Sequence, residues 1–170
     1  MTTYTDPFRL RVQKALAELL ETITTDNGYQ FDLAGKVFRG RNVFGDTDPK
    51  EMLAVLEDPE MKNILPVAEG NVVAYDYQLL VQGWTRDDKT HPTDRAQHLL
   101  AAAKRRLGLE IRRVEDGRVD FLGVYGVASM TLGIGVVRPA DDLSASAYFW
   151  LPLTLRVAED ISDPYGEVAD

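Results

Sequence analysis

The chain has 170 residues, 45% apolar and 27% charged, with a formal charge of -8 and no cysteine. That length suits one domain, burying roughly 70% of the surface its unfolded chain would expose. Without cysteine, disulfides, thiolate catalysis and cysteine-ligated zinc are excluded, and the acidic balance disfavours duplex binding, which needs a basic face. No apolar run approaches the ~18 residues of a membrane span, and the start Met-Thr-Thr-Tyr-Thr-Asp-Pro lacks the basic and apolar parts of a secretory signal.

Residues 6–25 read as an amphipathic helix. Phe8, Val12, Ala15, Leu16, Leu19 and Ile23 fall on one stripe, and Arg9, Arg11, Lys14, Glu18 and Glu21 lie opposite. Asp6 supplies an N-cap oxygen and Pro7 a preset φ. Asn27-Gly28 ends the element with a left-handed turn. Two short strands are expected next, Lys36 to Phe44 and Met52 to Glu57, joined by a charged loop whose Gly45-Asp46-Thr47-Asp48-Pro49 is a turn signal. Asp48, Pro49 and Glu51 could instead cap a short helix through Leu56. Residues 58–71 read as a loop with a helical turn at 59–64.

Val72 to Trp84 is the first long strand. Val73, Tyr75, Tyr77, Leu79 and Val81 share one face; Ala74, Asp76, Gln78, Leu80 and Gln82 share a more polar one. This alternation predicts an antiparallel sheet with one covered face. Residues 93–107 form the second helix, with Ala96, Leu99, Leu100, Ala103 and Leu107 on one stripe, Lys104, Arg105 and Arg106 complementing the dipole, and Gly108 as the cap. Short strands are expected near 109–114, 118–122 and 132–138, with Glu115-Asp116-Gly117 as a hairpin turn. Ala145 to Val157 is the last long strand. Its Pro152 lacks an N–H, which places the strand at an edge or bulges it there. The tail from Glu159 to Asp170 is acidic and reads as loose. The expected fold class is therefore α+β: one domain, with a mainly antiparallel or mixed sheet and two principal amphipathic helices on one face.

Candidate sites are few. Asp94 and His98 are an i, i+4 pair and His91 lies nearby, but a third ligand at helical spacing is missing, so a helix start and a solvated face account for them. Gly133-Ile134-Gly135 lacks the third glycine and following helix of a dinucleotide fingerprint, so crowding or a bend in a strand is the better account. The acidic pairs Asp46/Asp48, Asp87/Asp88 and Asp141/Asp142 sit in expected loops as turn residues. Ser129, Ser144, Ser146 and Ser162 have no nucleophile-elbow context. Arg39 and Arg41 flank Gly40 on one side of a strand and suit an anion or an ion pair with a neighbouring chain as well as a solvated face.

Three segments in order resemble one family. They are Gly35-Lys-Val-Phe-Arg-Gly-Arg-Asn-Val-Phe-Gly45 with Val55-Leu-Glu-Asp58; Leu79-Leu-Val-Gln-Gly-Trp84 with His91-Pro-Thr-Asp94; and Val137-Arg-Pro139 with Ala147-Tyr-Phe-Trp-Leu-Pro-Leu-Thr-Leu155 and Pro164-Tyr165. Together they resemble the tail terminator, or tail completion, proteins of long-tailed bacteriophages. The resemblance implies a small α+β virion protein, assembled in the host cytoplasm. Six copies would ring the head-proximal end of the tail tube, stop its polymerisation and present the head-joining surface. It implies a homo-hexamer, a tail tube protein and a head–tail connector or neck protein as partners, and DNA passing through the lumen without specific binding. It implies no catalysis, cofactor, metal or membrane. Assembly contacts are expected at Arg39, Arg41, Asp46, Asp48, Trp84, Asp87, Asp88, Trp150, Pro164 and Tyr165. The rivals are another connector or head-completion protein, a small hydrolase or acyltransferase using a loop carboxylate, and a binding module with Trp84 and Trp150 as exposed anchors.

Overall fold

A computed structural model describes residues 6–59, 67–86, 88–117, 120–142 and 144–166. The two long alternating segments dictate the architecture. Val72–Trp84 (β4) and Tyr148–Asp160 (β7) pair antiparallel along their whole length, from Val72 opposite Asp160 to Trp84 opposite Tyr148. Around them stand Val37–Arg39 (β1), Met52–Glu57 (β2), Val67–Glu69 (β3), Val127–Leu132 (β5) and Val136–Arg138 (β6). The sheet order is β1-β2-β4-β7-β5, with β3 beside the first residues of β4 and β6 beside the first residues of β7. Only β1 and β2 pair in parallel; the other pairs among the described strands are antiparallel.

Phe8–Glu21 (α1) and Asp94–Glu115 (α2) both pack on one face of this sheet, so the fold is α+β in a single domain. Phe8, Val12, Leu16, Leu20 and Ile23 from the first helix region meet Leu53, Tyr77, Leu79, Val81, Phe149, Leu151, Leu153 and Leu155 in one continuous core. Each such fully buried apolar side chain contributes about 1.5–3 kcal/mol. The covered face leaves no slack at Gly83, where an added Cβ would lie 2.2 Å from Phe149 Cε1 and 2.8 Å from Leu53 Cδ2.

Several details differ from the sequence expectation. Pro7 is the extended residue before α1, and Asp6 makes no cap; its carboxylate takes the Lys14 ammonium instead. The helix start is satisfied from the far end of the chain, where Phe8 N–H donates to Pro164 O at 2.9 Å and Arg11 Nη2 to Gly166 O at 2.6 Å. Through Gly166, therefore, the tail is tied to α1 rather than loose. The left-handed turn does fall at Gly28 (φ 78°), after a short 3-10 turn at Thr25–Asn27. β1 stops at Arg39 because Gly40 turns away with φ 64°, so the expected strand to Phe44 is three residues long; β2 is a strand and not a helix. The helical turn expected at 59–64 lies largely outside the described residues. β3 was missed, being a three-residue strand joined to β4 by a Gly70-Asn71 turn.

The largest difference is in α2. Gly108 does not cap it, and the strand expected at 109–114 is helix. Glycine inside a helix costs about 1 kcal/mol, but Leu107, Ile111 and Val114 continue the core stripe past it and outweigh that cost. Glu115-Asp116-Gly117 ends the helix, with Gly117 at φ 82°, and forms no hairpin. Glu110, 3% exposed, stabilises this end: it accepts two bonds from Arg113, at 2.6 and 3.0 Å, and one from Leu122 N at 2.9 Å. Phe121–Gly123 is a 3-10 turn where the strand 118–122 was expected, residues 118 and 119 lying outside the described set.

β7 is not at an edge: β4 lies on one side and β5 and β6 on the other. Pro152 is tolerated because its missing N–H faces the interruption between β5 and β6, where its carbonyl takes Gly133 N at 2.8 Å. Gly133 and Gly135 serve that break: a Cβ on Gly133 would crowd the Pro152 carbonyl at 3.1 Å, and Gly135 has φ 79° against Leu100. The expected bend in a strand accounts for the Gly-x-Gly.

Candidate assembly surface on the open face of the sheet

The pleat that sends Leu53, Leu79 and Leu151 to the helices sends their neighbours to the other face. Across that face one row reads Ala54, Gln82, Trp150, Val136 and the next Leu56, Leu80, Pro152. Among the described residues no helix covers this face. Trp150 and Leu80 are half-buried, and Val136 is 52% exposed.

At one end the face carries its own lid. Residues 40–49 fold back over Phe38, Met52, Ala54 and Trp84 and form a second apolar cluster with Tyr148 and Phe44. Phe44 stacks on Phe38 (centroids 5.4 Å) and on Trp84 (4.7 Å), and the Arg41 guanidinium lies over both Phe38 and Phe44, at 5.0 and 4.6 Å. Such cation–π contacts each contribute about 0.5–1 kcal/mol at partly exposed sites. Arg41 Nη2 also pairs with Asp48 Oδ2 at 2.6 Å, the oxygen that takes Gly45 N at 2.7 Å. The Gly45 N–H, with help from Arg41, holds the Asp48 carboxyl below its ordinary range. On the far side Tyr148 stacks on Trp150 (5.6 Å) and donates to Asp141 Oδ2 at 2.8 Å; burial, and then the Asp141 carboxylate, push its phenol up. A hollow of about 310 Å³ opens between this flap, Trp84 and Ser144–Ser146.

The residues singled out in the sequence fall in several places. Arg41, Asp48, Trp84 and Trp150 come together here, with Asp46 exposed on the flap. Arg39 does not join them: it lies on the helix side beside Lys14, Glu18 and Glu21, so Arg39 and Arg41 serve opposite faces. The geometry also changes two assignments. The partner of Arg41 is Asp48 of the same chain, and Trp84, 8% exposed under Phe44, is a buttress and not an exposed anchor. Asp88 closes the turn before α2 by accepting from Thr90 N (2.8 Å) and His91 N (3.1 Å), and those N–H groups, His91's first, lower its carboxyl. Asp87 lies outside the described residues. The Pro164 carbonyl caps α1, and Tyr165 stands 47% exposed just beyond it.

Phe38, Phe44 and Tyr148 were not among the expected contact residues, although all three lie in segments that carry the resemblance. Alternation alone does not say that a loop returns over its own strand. Glu51 was missed too: it pairs with Arg95 and lies 3.9 Å from Arg86, fastening α2's first turn to β2. Among the described residues no three His, Cys, Asp or Glu side chains converge as metal ligands would, and none of their helices is long and apolar enough to cross a membrane. Neither the models of known protein families nor the curated proteins contain a match to this chain.

Proposed function

We propose that this chain is a ring-forming virion protein of the tail-terminator kind. Six copies cap the head-proximal end of a phage tail tube, end its polymerisation and offer the surface to which the neck or connector joins. One observation carries this reading: the open sheet face, where Trp150, Leu80, Pro152 and Val136 meet solvent beside a flap fixed by aromatic stacking and an internal ion pair. An apolar sheet face is normally buried. A rigid, aromatic, uncovered one is a docking surface for a large partner, and we assign it to the tube. The order of the three sequence segments supports the same reading. Six chains of -8 carry 6 × -8 = -48, a charge that lets DNA pass through the lumen without adsorbing.

The test is removal of the gene from the virus that encodes it, followed by imaging of the lysate. Over-long tubes without heads are the expected result. Tails of normal length that lack heads would replace termination with a neck role, and normal virions would overturn both.

A further inference from the structure

α2 carries an excess of cations in an acidic chain. Among the described residues no ion pair involves Lys104, Arg105, Arg106 or Arg112. The two on its flanks hold neighbouring elements, Lys104 the Ile134 carbonyl and Arg106 the Thr22 hydroxyl at 2.7 Å. Arg105 and Arg112 lie on one exposed stripe with Ala101, Gly108 and Leu109, and Arg105 also rests over the Tyr29 ring at 4.8 Å and donates from Nη1 to the Gly28 carbonyl at 3.3 Å. Leu109 is 44% exposed, and Ala101 and Gly108 keep the ridge low. Glu110 is turned inward onto Arg113, so this stretch of the ridge has no carboxylate.

The opposite imbalance stands at the end of the sheet remote from the flap. There Glu69, Glu159, Asp160 and Asp163 have no cation partner among the described residues, Asp76 being matched by Arg156. The nearby Arg11 is engaged by the Gly166 carbonyl. The same end exposes Val67 (64%) and Ile161 (61%) on the two strands that flank β4, Val67 in β3 opposite Ala74 and Ile161 just past β7 with its N–H on Asn71 O.

We propose that these two patches are the two halves of one contact: the outward ridge of α2, centred on Leu109 between Arg105 and Arg112, seats on the Val67–Glu69 and Ile161–Asp163 end of a second copy of this chain. Arg105 and Arg112, neither of which is in an ion pair, meet carboxylates that have no cation partner, and an exposed leucine meets exposed valine and isoleucine, so charge sets the register and apolar contact adds affinity. The patches differ, so the contact is heterologous and repeats head to tail, as a closed ring requires. The inference rests on the ring reading above and adds which surfaces meet. It leaves the open face for the tube.

Two variants test it. R105E/R112E makes the ridge acidic, and V67K/E69K makes the sheet end basic; all four positions are at or near the surface. Each variant alone should weaken self-association at least about tenfold in sedimentation. Mixed in equal amounts they should associate again, because each ridge then finds an end of opposite charge. Continued assembly of either variant alone, or failure of the mixture to recover, overturns the contact. If the native chain is monomeric at accessible concentrations, cross-linking decides. The chain has no cysteine, so L109C and I161C can be mixed with a short bis-maleimide. Mixed dimers should exceed both homodimers, and equal or fewer mixed dimers overturn the proposal. The two readings fail separately. Lost association with normal tail length retains the contact and removes termination, whereas association through other surfaces with over-long tails does the reverse.

Discussion

On one side of the sheet Tyr77, Leu79 and Val81 disappear under two helices; on the other Gln82, Trp150 and Val136 meet solvent, with a folded loop over one end. The same strands build both faces. The covered face is held by packed volume, where a single added carbon at Gly83 has nowhere to go. The flap end is held by directed contacts: a guanidinium over two rings, a carboxylate on that guanidinium, a backbone N–H on the carboxylate. Volume supplies stability, and directed contacts supply a fixed shape at modest net energy. Substitutions on the two faces should therefore separate stability from assembly.

The largest effect is expected on the covered face. Leu79→Ala should lose about 2–5 kcal/mol, from lost transfer energy plus the cavity, read as a lower denaturant midpoint at unchanged slope. A loss under about 1 kcal/mol would mean that the helices do not seal this face. Next comes Glu110→Gln, which weakens the bonds to Arg113 and the Leu122 N–H and should lose about 1–3 kcal/mol. Its signature is in pH. Bonding to Arg113, with the Leu122 N–H, holds the Glu110 carboxyl below its ordinary range. Its contribution is complete above the unfolded carboxyl's pKa and fades as pH falls through the lower folded one. The glutamine variant should accordingly lose less on acidification than the native chain, whereas parallel acid limbs would count against this role.

On the open face the energies shrink and the readout changes. Arg41→Ala should cost about 1 kcal/mol or less yet expose Trp84, raising its fluorescence quenching by acrylamide. Asp48→Asn should do the same more weakly. Since the Asp48 carboxyl is lowered, the native flap should hold at neutral pH and loosen only in acid. Unchanged quenching in both variants would show that stacking alone holds the flap. Trp150→Thr gives up the stack on Tyr148 and should cost about 0.5–1.5 kcal/mol. The same change should also weaken attachment to the tube, measured by co-sedimentation with assembled tubes.

The two faces were also unequally legible. β4 could be read to the residue, and β7, expected from Ala145 to Val157 and found at Tyr148–Asp160, to within three residues at each end, because alternation over 13 residues leaves no other period. The far half of α2 was lost to Gly108, although Leu107, Ile111 and Val114 continued the stripe. A local stop signal outweighed a longer-range pattern that burial in fact obeys. Pro152 was read as marking an edge or a bulge because its tolerance depends on a break in a different strand. The flap was invisible for a related reason: its contacts join residues 38, 41, 44, 48 and 84, and no periodicity encodes a loop lying back across its own sheet. The cations of Lys104-Arg105-Arg106 were plain in the sequence but were taken as dipole compensation at a helix end that lies elsewhere, and Arg112-Arg113 fell in a segment expected to be strand.

The parallel pairing of β1 with β2 gives the flap a further part. A parallel pair cannot close through a tight hairpin, so the chain must cross back over one face of the sheet, and residues 40–51 are that crossover. Docking of Phe44 on Trp84 and recruitment of β1 to the sheet edge are then one cooperative event. The amides of Gly40, which bonds Val55 O at 2.9 Å, and of Leu53, which bonds Lys36 O at 3.0 Å, should exchange with solvent at a common rate with the flap, set by its opening and independent of the slower exchange of β4 and β7.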